Sequence, residues 1–231
     1  MDGVAYAGVV VLTVGIVAIL FVGVQRRDTA TAVNACVSVV AVFLPLVFEC
    51  GVISPLDQPI DIPPAVPLWI AAAGFLHSLG MVGLYERLPW WDHLTHTLSA
   101  AFVAAVIYAS LIVIDSSALV ISAAGSKLIT VLFTFWVGVF WELIELIARE
   151  IGKRFDIEPV LVHYGWRDTA YDLGFDTVGA TLIVLVDVRA FVPLTRQSPA
   201  MTEAFLVGVA TLTTIGSALM ALRIGYVNIR G

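Results

Sequence analysis

The sequence predicts an all-α bundle of transmembrane helices with six or seven spans, and three observations carry that reading. Of the 231 residues, 60% are hydrophobic and only 13% charged, whereas a soluble domain carries roughly 25% charged residues. Mean hydropathy is +0.98. The apolar residues come in continuous runs of about 17–25, the length a helix needs to cross the hydrocarbon. A β-barrel would show short alternating segments instead, and across lipid a helix satisfies its backbone groups within a single run. One integral membrane domain over residues 1–231 accounts for the whole length.

The first span reads as Val4–Val24. It is longer than a signal-peptide core and follows Asp2 rather than a basic residue, so it reads as a retained span. The second, Ala32–Ile53, holds Asn34, Glu49, Cys36 and Cys50. Fourteen residues along a helix is about 21 Å, beyond disulfide reach, so the cysteines read as small core residues. The 54–65 stretch carries Asp57, Asp61 and four prolines and reads as a stiff, non-helical linker. The third span, Val66–Leu84, has His77 at mid-depth. That histidine reads either as a partnered core residue or, with Glu49, as a step on a proton route.

The fourth span, His93–Ile114, follows Pro89-Trp90-Trp91-Asp92. The tryptophans fit an interfacial belt, and the plain reading of Asp92 is a helix cap. The fifth, Leu128–Ile147, contains Trp136, read as a core residue, and Glu142 and Glu145. The sixth, Tyr171–Val188, is the most polar at its start, with Asp172 and Asp176 in its first turns. Its Gly174, Gly179 and Ala180 offer a small surface for close helix approach. The seventh is Met201–Leu222.

Charge orients the spans. With the N-terminus outside, nine of the twelve Lys and Arg residues fall on inner segments, as the positive-inside rule requires. Seven spans in the cell membrane then leave the C-terminus inside. Net charge is −6 and the basic residues form no patch, so nucleic acid is not an expected partner; the lipid bilayer is. A retinal Schiff base is excluded because the two lysines, Lys127 and Lys153, lie outside the last span.

The same orientation puts Asp92, His96, Glu142, Glu145, Asp168, Asp172 and Asp176 at one cytoplasmic level. A carboxylate at the bilayer centre costs roughly 2.5–3.5 kcal/mol on insertion scales, so repeating it on three spans points to a shared polar site. Residues four apart share a helix face, which pairs Asp92 with His96, Asp168 with Asp172, Asp172 with Asp176, and Glu145 with Arg149. Crowded carboxylates must be protonated, paired with arginine or held by a cation. Three readings stay open. One is a divalent metal ion on His96, Glu142, Asp172 and Asp176, with Asp92 or Glu145 orienting a water or a ligand and Asp168 and Arg149 around them. The mixed N/O donor set suits such an ion, and a bound ion would support hydrolysis. Another is a proton- or cation-coupled transporter. The last is a structural protein with buried ion pairs.

Three runs also resemble a known family: Trp91-Asp92-His93-Leu94-Thr95-His96, Trp141-Glu142-Leu143-Ile144-Glu145, and Tyr171-Asp172-Leu173-Gly174-Phe175-Asp176 continuing to Thr177-Val178-Gly179-Ala180. Their order and spacing resemble the YjdF/DUF2238 group of small polytopic inner-membrane proteins, over about residues 88–182. The resemblance implies that the cluster is a unit. It implies no activity, because none is established for the group.

Overall fold

Among the described residues, seven helical segments are long and apolar enough to cross a membrane. The structure, a computed structural model, describes residues 2–51, 60–115, 121–156, 160–161 and 165–230. Its elements are α1 (Asp2–Arg26), α2 (Thr29–Glu49), α3 (Ala65–Leu79), a π-helical turn (Gly80–Leu84), α4 (Tyr85–Arg87), α5 (Pro89–Asp115), α6 (Ala123–Phe155), α7 (Trp166–Val186), α8 (Val192–Arg196) and α9 (Pro199–Arg230). No strand occurs among the described residues. Half of the 54–65 stretch, residues 54–59 with Asp57, lies outside them, as do residues 52 and 53 at the end of the expected second span.

Several helices run past the apolar segments that announce them, while α2 ends at Glu49 rather than Ile53 and α7 at Val186 rather than Val188. α5 begins at Pro89 rather than His93, α7 at Trp166 rather than Tyr171, and α6 continues from the expected Ile147 to Phe155. The 33 residues of α6 make about 50 Å of helix, against a hydrocarbon core of about 30 Å. Hydropathy marks the lipid layer; backbone hydrogen bonding carries the helix beyond it.

α1, α2 and α3 pack against one another through small residues. Gly15 of α1 lies against the Phe75 ring, Gly23 against the backbone of Ala32, and Gly74 of α3 against Ser38. Ile16, Ala35 and Ala71 are sealed between them. The far face of α1 carries Val10, Val14 and Phe21, all exposed, which is the surface that lipid would cover.

α5 and α7 form the closest pair in the molecule. A methyl group at Gly179 would collide with the carbonyl oxygen of Thr97, so the two backbones touch. Ala104, Ala109 and Ala180 are wholly buried along the seam. Gly174 is exposed with no neighbour, so it is Gly179 and Ala180, without Gly174, that make the expected small surface. α6 lies across both helices, and α9 packs on α6 and α5. Trp69 ties α3 to this unit: its indole N–H donates to the Leu98 carbonyl at 3.1 Å, and its ring meets Phe102 and Phe191.

At the opposite end from the starts of α5 and α7, Tyr108 donates a 2.6 Å hydrogen bond to Asp187. Arg189 pairs with the other carboxylate oxygen at 2.9 Å. Asp187 ends α7 in a left-handed conformation, and these hydrogen bonds, that of Tyr108 first, hold its carboxyl below the usual carboxylate range.

Two sequence expectations about burial are corrected. Cys36 and Cys50 are exposed, and Trp136 is 38% exposed. All three are apolar enough to face lipid, so composition did not separate a lipid face from a core face.

Candidate functional site

The α5–α7 contact decides which polar groups meet. α5 starts at Pro89, so Asp92 stands inside the first helical turn and is not the cap. One turn on, His96 shares its face and looks across the seam at α7. Asp172 and Asp176, also one turn apart, look back.

Distances define the arrangement. His96 Nδ1 lies 3.1 Å from Asp176 Oδ1, within hydrogen-bonding range. His96 Nε2 lies 3.9 Å from Asp172 Oδ1 and 3.9 Å from Asp92 Oδ1. One donor atom each from Asp92, His96 and Asp172 fall within 4.8 Å of one another. Asp172 is 1% exposed, and its Oδ1 has no hydrogen-bond partner among the described residues. Gly138 of α6 makes room for the pair behind: a side chain there would overlap the Asp176 carboxylate.

α6 adds a second layer of acid. Glu142 is 3% exposed, beside Thr169 and within electrostatic reach of His96, Asp176 and Asp168. Glu145 is buried and accepts a 2.8 Å hydrogen bond from the Trp141 indole. It makes no ion pair with the candidate partner Arg149 among the described residues. Trp141 and Arg149 each stand four residues from Glu145, and the helix turns the tryptophan toward it. Three ion pairs at the cluster run from His96.

His77 adjoins the cluster through Tyr85 without a direct bond to its acids, and Glu49 is not brought to His77. His77 bonds Asn34 Oδ1 through Nε2 at 3.0 Å and the Tyr85 hydroxyl through Nδ1 at 2.7 Å. Asn34 and Glu49 are fifteen residues apart on α2, about 22 Å along the axis.

Two residues that the sequence did not single out border the cluster. His93 stacks on Phe175, ring centroids 4.3 Å apart, and its Nδ1 is shielded from solvent without a hydrogen-bond partner among the described residues. Tyr85 reaches the same region because the π-helical turn folds α4 back. Gly83 there has φ 111°, open to glycine and rare for other residues. Gly80 gives the Tyr85 ring its space. Both residues line a cavity of about 270 Å³ with Pro89, Asp92, Asp168 and Tyr171. The signal for His93 was its place beside Asp92; for Tyr85 it was the paired glycines ahead of it.

The model of a family described as predicted membrane proteins, DUF2238, matches residues 7–192. The chain belongs to the DUF2238 family. The match contains all the cluster residues and also most of α1 and all of α2 and α3, beyond the residues 88–182 that carried the resemblance. Neither the curated proteins nor the solved structures hold a match to this chain. As a member of this family with seven candidate spans, it is a multi-pass membrane protein associated with the lipid bilayer.

Proposed function

We propose that the protein holds a divalent cation at the cytoplasmic mouth of the bundle, with Asp92, His96 and Asp172 as ligands. The observation that carries this reading is the pair of 3.9 Å separations from His96 Nε2 to Asp92 Oδ1 and Asp172 Oδ1. They exceed the hydrogen-bond limit of about 3.2 Å. Two ligands on a zinc ion at about 2.0–2.2 Å stand about 3.3–3.6 Å apart at a tetrahedral angle, so an inward shift of a few tenths of an ångström by each carboxylate would close the shell. Asp176 on Nδ1 supports the same reading, because a carboxylate on one ring nitrogen turns the other toward a metal. That same Asp172 oxygen is shielded from solvent and has no hydrogen-bond partner among the described residues. One nitrogen and two carboxylates suit zinc, manganese or iron. An ion there would supply a Lewis acid and a more acidic water, with Glu142 and Glu145 behind it.

Elemental analysis of the detergent-purified full chain tests this. About one metal per chain is expected, lost in Asp172→Asn and retained in Arg149→Gln. Background metal after mild purification and reloading with zinc, manganese and iron would sink the proposal. Modification of Asp61→Cys from outside intact cells would support the orientation; modification only after permeabilisation would reverse it.

One observation favours a second reading, proton- or cation-coupled transport. Ser126, Thr130 and Thr134 form a buried file along α6 that leads to Gly138 and the Asp176 carboxylate. Thr134 Oγ1 has no hydrogen-bond partner among the described residues. Proton flux into liposomes that is the same for wild type, Thr134→Val and Asp176→Asn would reject this route.

A further inference from the structure

A second cavity lies at the end of the bundle opposite the acid cluster, between α5, α8, α9 and the chain that leads into α3. On α5 it is reached at Ser110, fourteen residues beyond His96, about 21 Å along the helix. Ile60, Val106, Leu194, Met201 and Phe205 give it an apolar wall. The polar side chains of the wall are engaged with the protein. The Ser110 hydroxyl donates to the Val106 carbonyl at 2.8 Å, that of Thr202 to the Thr195 carbonyl at 2.9 Å, and that of Thr195 to the Val192 carbonyl at 3.1 Å. Gln197 is used at both ends of its amide. The oxygen accepts from the Asp61 N–H at 2.8 Å, and the nitrogen donates to the Asp61 carbonyl at 2.6 Å. A polar ligand that entered would lose its water and find these groups already committed. What the wall offers is methyl, methylene and ring carbon.

The cavity is also graded in depth. α9 is a candidate span that starts at Pro199, and Gln197 and Ser198 stand just ahead of it. Phe205 lies seven residues past Ser198, about 10 Å further along. It is 50% exposed, at a depth where lipid is the surrounding medium. One end of the cavity is therefore a polar rim, and its flank opens on hydrocarbon. A volume of about 230 Å³ is below the usual lower bound of about 300 Å³ for ligand pockets, room for one chain and not for a whole lipid. Left empty, it would deprive its walls of dispersion contacts, and water does not fill an apolar space. An acyl chain enters from the adjoining layer without desolvating any polar group. At the rim, Asp61, Arg196 and Glu203 are all exposed and bring both signs of charge, so neither an anionic nor a zwitterionic head group is singled out.

We infer that this cavity binds one acyl chain of a bilayer phospholipid, with the head group at the Gln197 end and the chain running toward Val106 and Phe205. The inference stands apart from the metal and transport readings. Recognition lies in the chain, which packs between the segment around Ile60, α5 and α9.

Photolabelling tests it. The full chain in detergent is titrated with phosphatidylglycerol that carries a diazirine on one acyl chain, irradiated, and mapped by mass spectrometry. Labelling is expected to saturate and to concentrate on the peptides that hold Val106, Met201 and Phe205. Unlabelled long-chain phosphatidylglycerol and phosphatidylethanolamine should compete equally, within about threefold, and short-chain lipids with the same head groups at least about tenfold less well. Val106→Trp and Met201→Trp fill the cavity and should each lower labelling at least about tenfold. Leu219→Trp, on an exposed part of α9, should label as wild type does. Metal content should be the same in all three variants, so lipid and metal are read separately. Labelling that rises without saturation and spreads evenly to the Leu219 region would mark a general lipid coat and overturn the inference. Competition by one head group alone, or labelling undiminished in both cavity variants, would overturn it as well.

Discussion

Two histidines in this bundle sit in opposite circumstances. His77 belongs to the α1–α3 side and His96 to the α5–α7 seam. Asn34 fixes the first. Its amide donates to the carbonyls of Ala30 at 2.9 Å and Val160 at 2.7 Å, so its oxygen faces His77 and accepts from Nε2–H. Nδ1 then accepts from the Tyr85 hydroxyl. Both ring nitrogens are used, by neutral groups. His96 has one nitrogen on Asp176, while the other faces two carboxylate oxygens at a distance too long for direct bonding. A polar side chain in a membrane helix is therefore not a functional signal by itself. The signal is a polar atom left open when its surroundings are complete.

The comparison breaks most readily at the seam. Gly179→Leu should force α5 from α7, because the added atoms meet the Thr97 carbonyl and no flexible side chain can yield. Overpacking of this kind costs about 3 kcal/mol or more where the obstacle is backbone. Denaturation by heat or SDS should show it, with metal lost as well. A variant that melts and loads like wild type would remove the seam as the element that positions the site.

Replacing the two histidines should separate their roles. His96→Ala is expected to lower metal affinity at least about 100-fold, roughly 2.7 kcal/mol. His77→Ala leaves Asn34 and Tyr85 without their shared partner and should cost about 1–3 kcal/mol of stability, with metal content untouched. Metal loss in His77→Ala would erase the distinction. Asp176→Asn should act more mildly than His96→Ala on the same site. Removing a carboxylate behind a metal-bound histidine weakens affinity about 10- to 100-fold, and direct metal titration would measure it.

The smallest effect is expected far from both histidines. Asp187 has a depressed folded-state pKa, so its hydrogen bonds contribute stability above the unfolded carboxylate value. That contribution disappears as pH falls through the lower, folded value. A slight drop in melting temperature in that acidic window should therefore vanish in Asp187→Asn. A wild-type and variant pair with parallel pH profiles would contradict it.

The seven helices were legible because each buries an apolar run near the thickness of a membrane, and the cluster because carboxylates in such runs are expensive. Asp92, His96, Asp172, Asp176, Glu142 and Glu145 all come to one level. Their pairings were less legible. Whether His96 turns Nδ1 to Asp172 or to Asp176 depends on how α5 crosses α7, and that depends on the backbone contact at Gly179. Glu145 had candidate partners one turn to either side, and periodicity treats Trp141 and Arg149 alike. Helix ends were misplaced where they left the apolar layer. Cys36 and Trp136 were misplaced because a lipid-facing surface and a protein core have the same polarity.

The kink at Gly80–Leu84 sets a direction. Gly83 stands at φ 111°, a conformation that residues with a side chain rarely adopt, so the third span does not continue into α4 as one helix. Across that break the Tyr85 hydroxyl bonds His77 Nδ1 at 2.7 Å, and its ring fills the space that Gly80 leaves. Two residues that present no side chain of their own thus decide which way an aromatic one faces. A branched residue at Gly83 would press the chain toward a straighter path and draw Tyr85 off His77, without touching either.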